Sequence, residues 1–136
     1  MTFRSVFAIL VTASGTLAAG PSAAPASRRS PPTFHLRLVR SEPAKDEVLA
    51  APPTVVRLWF SLAPELAVTT VKLATAEGNP VVVGPLRRGS GANDPVEARM
   101  TAALVPGRYS VAWKTSSTDG HAMRGAFSFT VRAASR

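Results

Sequence analysis

From residue 36 onward, apolar and polar positions alternate with a period of two, and turn formers interrupt the alternation at short intervals. Leu36-Arg37-Leu38-Val39-Arg40 is the first such run. Residues 54–60 set Val56, Leu58 and Phe60 on one face, and Pro52-Pro53 ahead of them stops a helix from running in. Residues 67–74 and the short run Val81-Val82-Val83 follow, separated by the turn Glu77-Gly78-Asn79-Pro80. Residues 84–95 are rich in breakers and read as a loop. A modest strand is expected at 96–102, and Pro106-Gly107 suits the centre of a type II turn. The clearest alternation is 108–115, with Tyr109, Val111 and Trp113 on one face. Residues 126–132 close the pattern with Phe127, Phe129 and Val131 inward.

Seven short strands and no long helix predict an all-β domain, an antiparallel β-sandwich or Greek-key barrel. Its expected core is Leu36, Leu38, Val56, Leu58, Phe60, Val71, Leu73, Tyr109, Val111, Trp113, Phe127, Phe129 and Val131. The 136-residue length allows one such domain.

The first 34 residues have a different pattern. Arg4 is followed by an uncharged, mostly apolar stretch, 5–19, of secretory length and short of the roughly 20 residues that span a bilayer. Small residues then offer cleavage sites, the better one after Ala26. Residues 1–26 therefore read as a secretory signal peptide, with an uncleaved anchor as the other reading, and the protein is expected to be exported. Residues 27–34, with Arg28-Arg29 and Pro31-Pro32, read as a disordered spacer. The domain is expected at 35–132 and a tail at 133–136.

The chain has no cysteine, which excludes a disulfide scaffold, a thiolate zinc site, an iron–sulfur cluster and a cysteine nucleophile. Its net charge is +8, falling to +5 when only residues from His35 on are counted. The basic residues are scattered and not interleaved with aromatics, so nucleic acid is not an expected partner. Weak attraction to an anionic membrane surface fits the charge. There is no nucleophile elbow, P-loop or dinucleotide fingerprint.

The two histidines, His35 and His121, bound the available imidazole chemistry. Asp119 and His121 are two residues apart between the two best strands, so a locally extended backbone would project both side chains to one face. A plain hairpin with Asp-Gly at its tip accounts for the same tripeptide. His35 heads the first strand, which in a sandwich can share an end with a late interstrand loop. Taken alone it reads equally well as an exposed residue at a boundary. Together, His35, Asp119 and His121 would supply two nitrogens and an oxygen without sulfur, a set that suits Cu(II) first and Zn(II) second.

Three stretches carry a family resemblance. The first is His35-Leu36-Arg37-Leu38-Val39-Arg40-Ser41-Glu42-Pro43-Ala44, and the second is a proline-led strand ending in Phe60-Ser61. The third is Gly107-Arg108-Tyr109-Ser110-Val111-Ala112-Trp113, then Ser117-Thr118-Asp119-Gly120-His121, Gly125 and Phe127-Ser128-Phe129-Thr130-Val131. Over about residues 35–132 the chain resembles the CopC family of periplasmic copper-binding proteins. The resemblance implies an immunoglobulin-like β-sandwich, a Cu(II) site at His35, Asp119 and His121, and a CopD-type membrane copper transporter as partner.

Two departures bear on that expectation. Some family members hold Cu(I) in a Met-rich loop, whereas the three methionines here are Met1, Met100 and Met123, and residues 75–95 contain none. The family's mature chain typically begins at the first His, whose α-amine is then a ligand. Phe34 is a poor residue to precede a cleavage, and a cut after Ala26 would leave eight residues ahead of His35.

The function expected is Cu(II) binding for copper storage, delivery or resistance by a monomeric, non-enzymatic protein. A His-brace copper monooxygenase is disfavoured, because Asp119 would fill a position that oxygen activation needs open. A metal-free immunoglobulin-like interaction module is the remaining alternative, since a fold alone implies no function.

Overall fold

Nine strands form over residues 35–133, the residues that the computed structural model of the protein describes. They are β1 (Leu38–Glu42), β2 (Val48–Leu49), β3 (Val55–Phe60), β4 (Thr70–Thr75), β5 (Pro80–Val81), β6 (Arg87–Arg88), β7 (Val96–Arg99), β8 (Gly107–Ser116) and β9 (Ala122–Val131). One turn of 3-10 helix, Leu66–Val68, leads into β4. The signal peptide 1–26, the spacer 27–34 and all of the 133–136 tail but Ala133 lie outside the described residues.

The strands make two sheets, ordered β1-β3-β7-β6 and β2-β9-β8-β4-β5. Non-consecutive strands are neighbours in both, and the architecture is the all-β, two-sheet Greek-key sandwich expected from the alternation. Every pairing is antiparallel except β2 with β9.

Alternation puts one face of each long strand inside. Tyr109, Val111 and Trp113 of β8 lie directly across from Phe129, Phe127 and Gly125 of β9. They meet Val56, Leu58 and Phe60 of β3 from the other sheet in a single core. Phe60 and Trp113 touch edge to face at 5.3 Å between ring centroids, and Tyr109 stacks on Phe129 at 5.5 Å. Aromatic pairs of this kind add to the gain from burial.

All the expected core residues are buried except Leu38, which is half-buried. The β1–β3 register shifts between Leu38 and Arg40, and a bulge of this kind re-aims the side chains around it. Val96, Ala98 and Leu104 join the core beyond the expected set. The expected strand 67–74 begins only at Thr70, because residues 66–68 coil and Thr69 Oγ1 donates to the Glu65 carbonyl at 2.7 Å. The last strand begins at Ala122 rather than at 126.

Candidate metal centre

β8 and β9 form a ten-rung hairpin, in unbroken register from Gly107 opposite Val131 to Ser116 opposite Ala122. Only residues 117–121 are left to connect them. The Gly120 amide donates to the Ser117 carbonyl at 2.9 Å, and the Ser117 amide to the His121 carbonyl at 3.2 Å. Gly120 sits at φ +86°, in the left-handed region, where glycine closes a hairpin loop without the penalty of a Cβ.

Asp119 and His121 come together in a hairpin turn at Asp119-Gly120, the plainer reading of the tripeptide, and not through the locally extended backbone that their spacing would need. His121 Nδ1 stands 3.0 Å from Asp119 Oδ2. The other carboxylate oxygen accepts from the Ser117 hydroxyl and from the His121 amide, the latter at 3.2 Å. The Ser117 hydroxyl first, and the His121 contacts after it, hold the Asp119 carboxyl well below the usual carboxylate range. Asp119 is thus an anion at any physiological pH. Both side chains are open to solvent, 62% exposed for Asp119 and 74% for His121, while Ser117 beneath them is buried.

The base of the turn is tied to the rest of the sandwich. The Glu65 amide donates to the Ser116 carbonyl at 2.9 Å, and the hydroxyls of Thr69 and Thr115 meet at 2.7 Å in the interior. Trp113, one inward step below Thr115, lies against Gly125, where a Cβ would come within 2.6 Å of the indole.

His35 reaches the same end of the molecule by another route. Leu36, only 2% exposed, anchors the chain in the core. Ser61, just past β3, donates its hydroxyl to the His35 carbonyl and accepts from the Arg37 amide, both at 3.0 Å. The Ser61 amide donates to the Arg37 carbonyl at 2.9 Å. Four residues further on, Glu65 makes its bond to Ser116, at the foot of the Asp119 turn. The backbone of His35 and the 117–121 turn therefore belong to one rim of the sandwich. The His35 side chain is exposed, and no three His, Cys, Asp or Glu side chains are gathered within metal-holding range among the described residues. Asp119 and His121 are brought together; His35 is brought to their end and not into their contact.

The 3.0 Å separation of His121 Nδ1 and Asp119 Oδ2 is that of a hydrogen bond, and imidazole nitrogen beside carboxylate oxygen is a donor pair of the kind that Cu(II) or Zn(II) takes. Ser61 and Ser117, which fix the backbone of one histidine and the carboxylate, had no assigned role in the sequence. Their signal was their place in the Phe-Ser and Ser-x-Asp-x-His patterns.

Known proteins resemble this chain over the same span. The family model for the CopC domain matches residues 38–132. Among solved structures, CopC from Methylosinus trichosporium OB3b superposes with a TM-score of 0.66 at 28% identity, over 72% of this chain and 94% of that one. PcoC, described as a methionine-rich copper resistance protein from Escherichia coli, gives 0.65 at 26% identity, over 72% and 99%. Protein YobA of Escherichia coli strain K12 is 26% identical over 98 residues, 72% of this chain and 79% of that protein.

Proposed function

The chain belongs to the CopC family, and from that premise we propose that it is an exported periplasmic protein that binds Cu(II) through His35, Asp119 and His121. The observation that carries the reading is the contact between His121 Nδ1 and Asp119 Oδ2, on the rim to which Ser61 fastens the His35 backbone. His35 precedes β1, which begins at Leu38, and completing the set requires its side chain to move to the Asp119–His121 pair. Membership in a copper-resistance family sets the monooxygenase reading aside.

Copper is cargo in this reading. An exposed site releases its ion more readily than a closed one, which suits storage or delivery, with a CopD-type membrane transporter as the acceptor. Cu(II) is favoured over Cu(I) because the donors are imidazole and carboxylate. PcoC is described as methionine-rich; this chain has three methionines in all. Residues 1–26 act as the signal peptide. Where the exported chain begins decides whether the His35 amine joins the ligand set, and mass spectrometry of the exported protein answers that directly.

The test is a titration of the purified exported protein with Cu(II), followed by EPR and tryptophan fluorescence. One equivalent giving a type-2 copper signal, abolished in His121→Ala and weakened in His35→Ala, is the expected result. Absence of stoichiometric binding would leave a metal-free interaction module.

A further inference from the structure

We propose that the outer face of the five-stranded sheet is a docking surface for an acidic segment of a partner protein. This face carries a shallow trough of about 580 Å³ lined by Thr70, Lys72, Ala112, Lys114, Arg124 and Ala126, with Trp113 and Gly125 between them. The register explains its shape. Thr70, Lys114 and Arg124 lie side by side across β4, β8 and β9, and Lys72, Ala112 and Ala126 form the next outward row. The two alanines leave a low floor, and the three cations stand around it.

Charge is handled in opposite ways on the two outer faces. On the four-stranded sheet, Arg57 stands in register between Glu42 and Glu97, and its guanidinium lies 3.5 Å and 2.9 Å from their carboxylates. Arg40 pairs with Glu42, and Arg99 with Glu97. On the five-stranded sheet, Lys114 is placed directly opposite Arg124, a like-charge cross-strand pair that opposes folding. Neither of them, nor Lys72, makes an ion pair among the described residues, and no carboxylate lines the trough. The fold tolerates a repulsion there that it cancels elsewhere, and an anionic ligand would relieve it.

The form of the trough favours a peptide over a bilayer. A protein that settles on a membrane inserts large apolar side chains between the headgroups. The outward positions of this lining offer only alanine and threonine between the cations. A concave strip one side chain deep matches an extended chain whose carboxylates reach the surrounding ammonium and guanidinium groups. The strip also runs up to the Asp119 turn: Ser116 opposite Ala122 is the next outward pair after Lys114 opposite Arg124. A docked segment would lie beside the rim that bears His121.

The test uses isotope-labelled exported protein without copper, so that its outcome is separate from that of the cupric titration. A ten-residue oligoglutamate is added at low salt. Amide shifts confined to residues 70–72, 112–114 and 124–126, weakening steeply as salt is raised, are expected. The double variant Lys114→Gln, Arg124→Gln should bind the peptide at least tenfold more weakly while its thermal midpoint stays equal or rises, because the like-charge pair is gone. Lys72→Gln, outside the hairpin, should weaken binding on its own, and Arg57→Gln on the opposite sheet should not. Peptide shifts elsewhere, their absence, or wild-type affinity in the double variant would overturn the proposal. So would sedimentation with phosphatidylglycerol vesicles in the absence of peptide shifts, which would make the face a membrane contact.

Discussion

Asp119 is kept ionised by its neighbours. The Ser117 hydroxyl is the first cause of its depressed carboxyl, so Ser117→Ala should move the Asp119 titration up toward the ordinary value of about 3.9. Carboxyl-carbon NMR of the copper-free protein reads this directly, and an unmoved midpoint would remove the hydroxyl as the cause. The sign for stability follows from the depression. These contacts contribute fully above the ordinary aspartate value and fade as pH falls through the lower folded one. Gly125 makes a different point at the same scale. A Cβ there would stand 2.6 Å from a carbon of the Trp113 indole, which is itself packed against Phe60. Gly125→Ala should cost about 1–3 kcal/mol by overpacking, measured by denaturant unfolding, and shift the Trp113 emission. The Asp-Gly hairpin turn was legible in the sequence, whereas the contact of Asp119 with His121 comes from that turn, with Gly120 at positive φ, and not from an extended stretch. The buried Ser117 and the clamp of Ser61 on His35 were not legible, because a serine's role depends on which backbone comes to meet it.

Among the strands, β3, β8 and β9 could be read from alternation because each buries every second residue against the opposite sheet. β2 and β6 could not. Each is two residues long and exists because a neighbour offers a ladder: β9 for Val48–Leu49, β7 for Arg87–Arg88. The last strand was expected over 126–132, yet the ladder runs back through Gly125, where the indole opposite needs the gap, to Ala122. Leu66–Val68 has strand-like composition but coils, with a backbone bond from Thr69 to Leu66 closing the turn. The charged row across β1, β3 and β7 gives an element-scale prediction. Arg57 depresses the Glu97 carboxyl, chiefly through its hydrogen bond, so their mutual stabilisation is present above the ordinary glutamate value of about 4.3 and is lost as pH falls below it. Arg57→Met should lower the denaturation midpoint at pH 7. The difference from the unaltered chain should close toward pH 3, and a gap that persisted there would mean packing rather than charge.

For the molecule as a whole, a ligand bound only by the folded state stabilises it by mass action, about 2.7 kcal/mol at a free concentration a hundred times the dissociation constant. Cu(II) should therefore raise the thermal midpoint of the exported protein, and His121→Ala should abolish the rise while leaving the copper-free midpoint near its original value. The borders of the two sheets have a further consequence. A sandwich leaves its outermost strands with unused backbone donors and acceptors, an invitation to stack with another copy. Here those strands are β1 and β6 in one sheet and β2 and β5 in the other. β2, β5 and β6 are two residues long; β5 begins with Pro80, β6 is a pair of arginines, and β1 is broken by its register shift. These four strands are each too short, too charged or too irregular to template a neighbour, and the longer open edge is that of β9, of which β2 covers only Thr130 and Val131. Sedimentation at rising concentration should find single copies, and self-association there would point to the uncovered edge of β9.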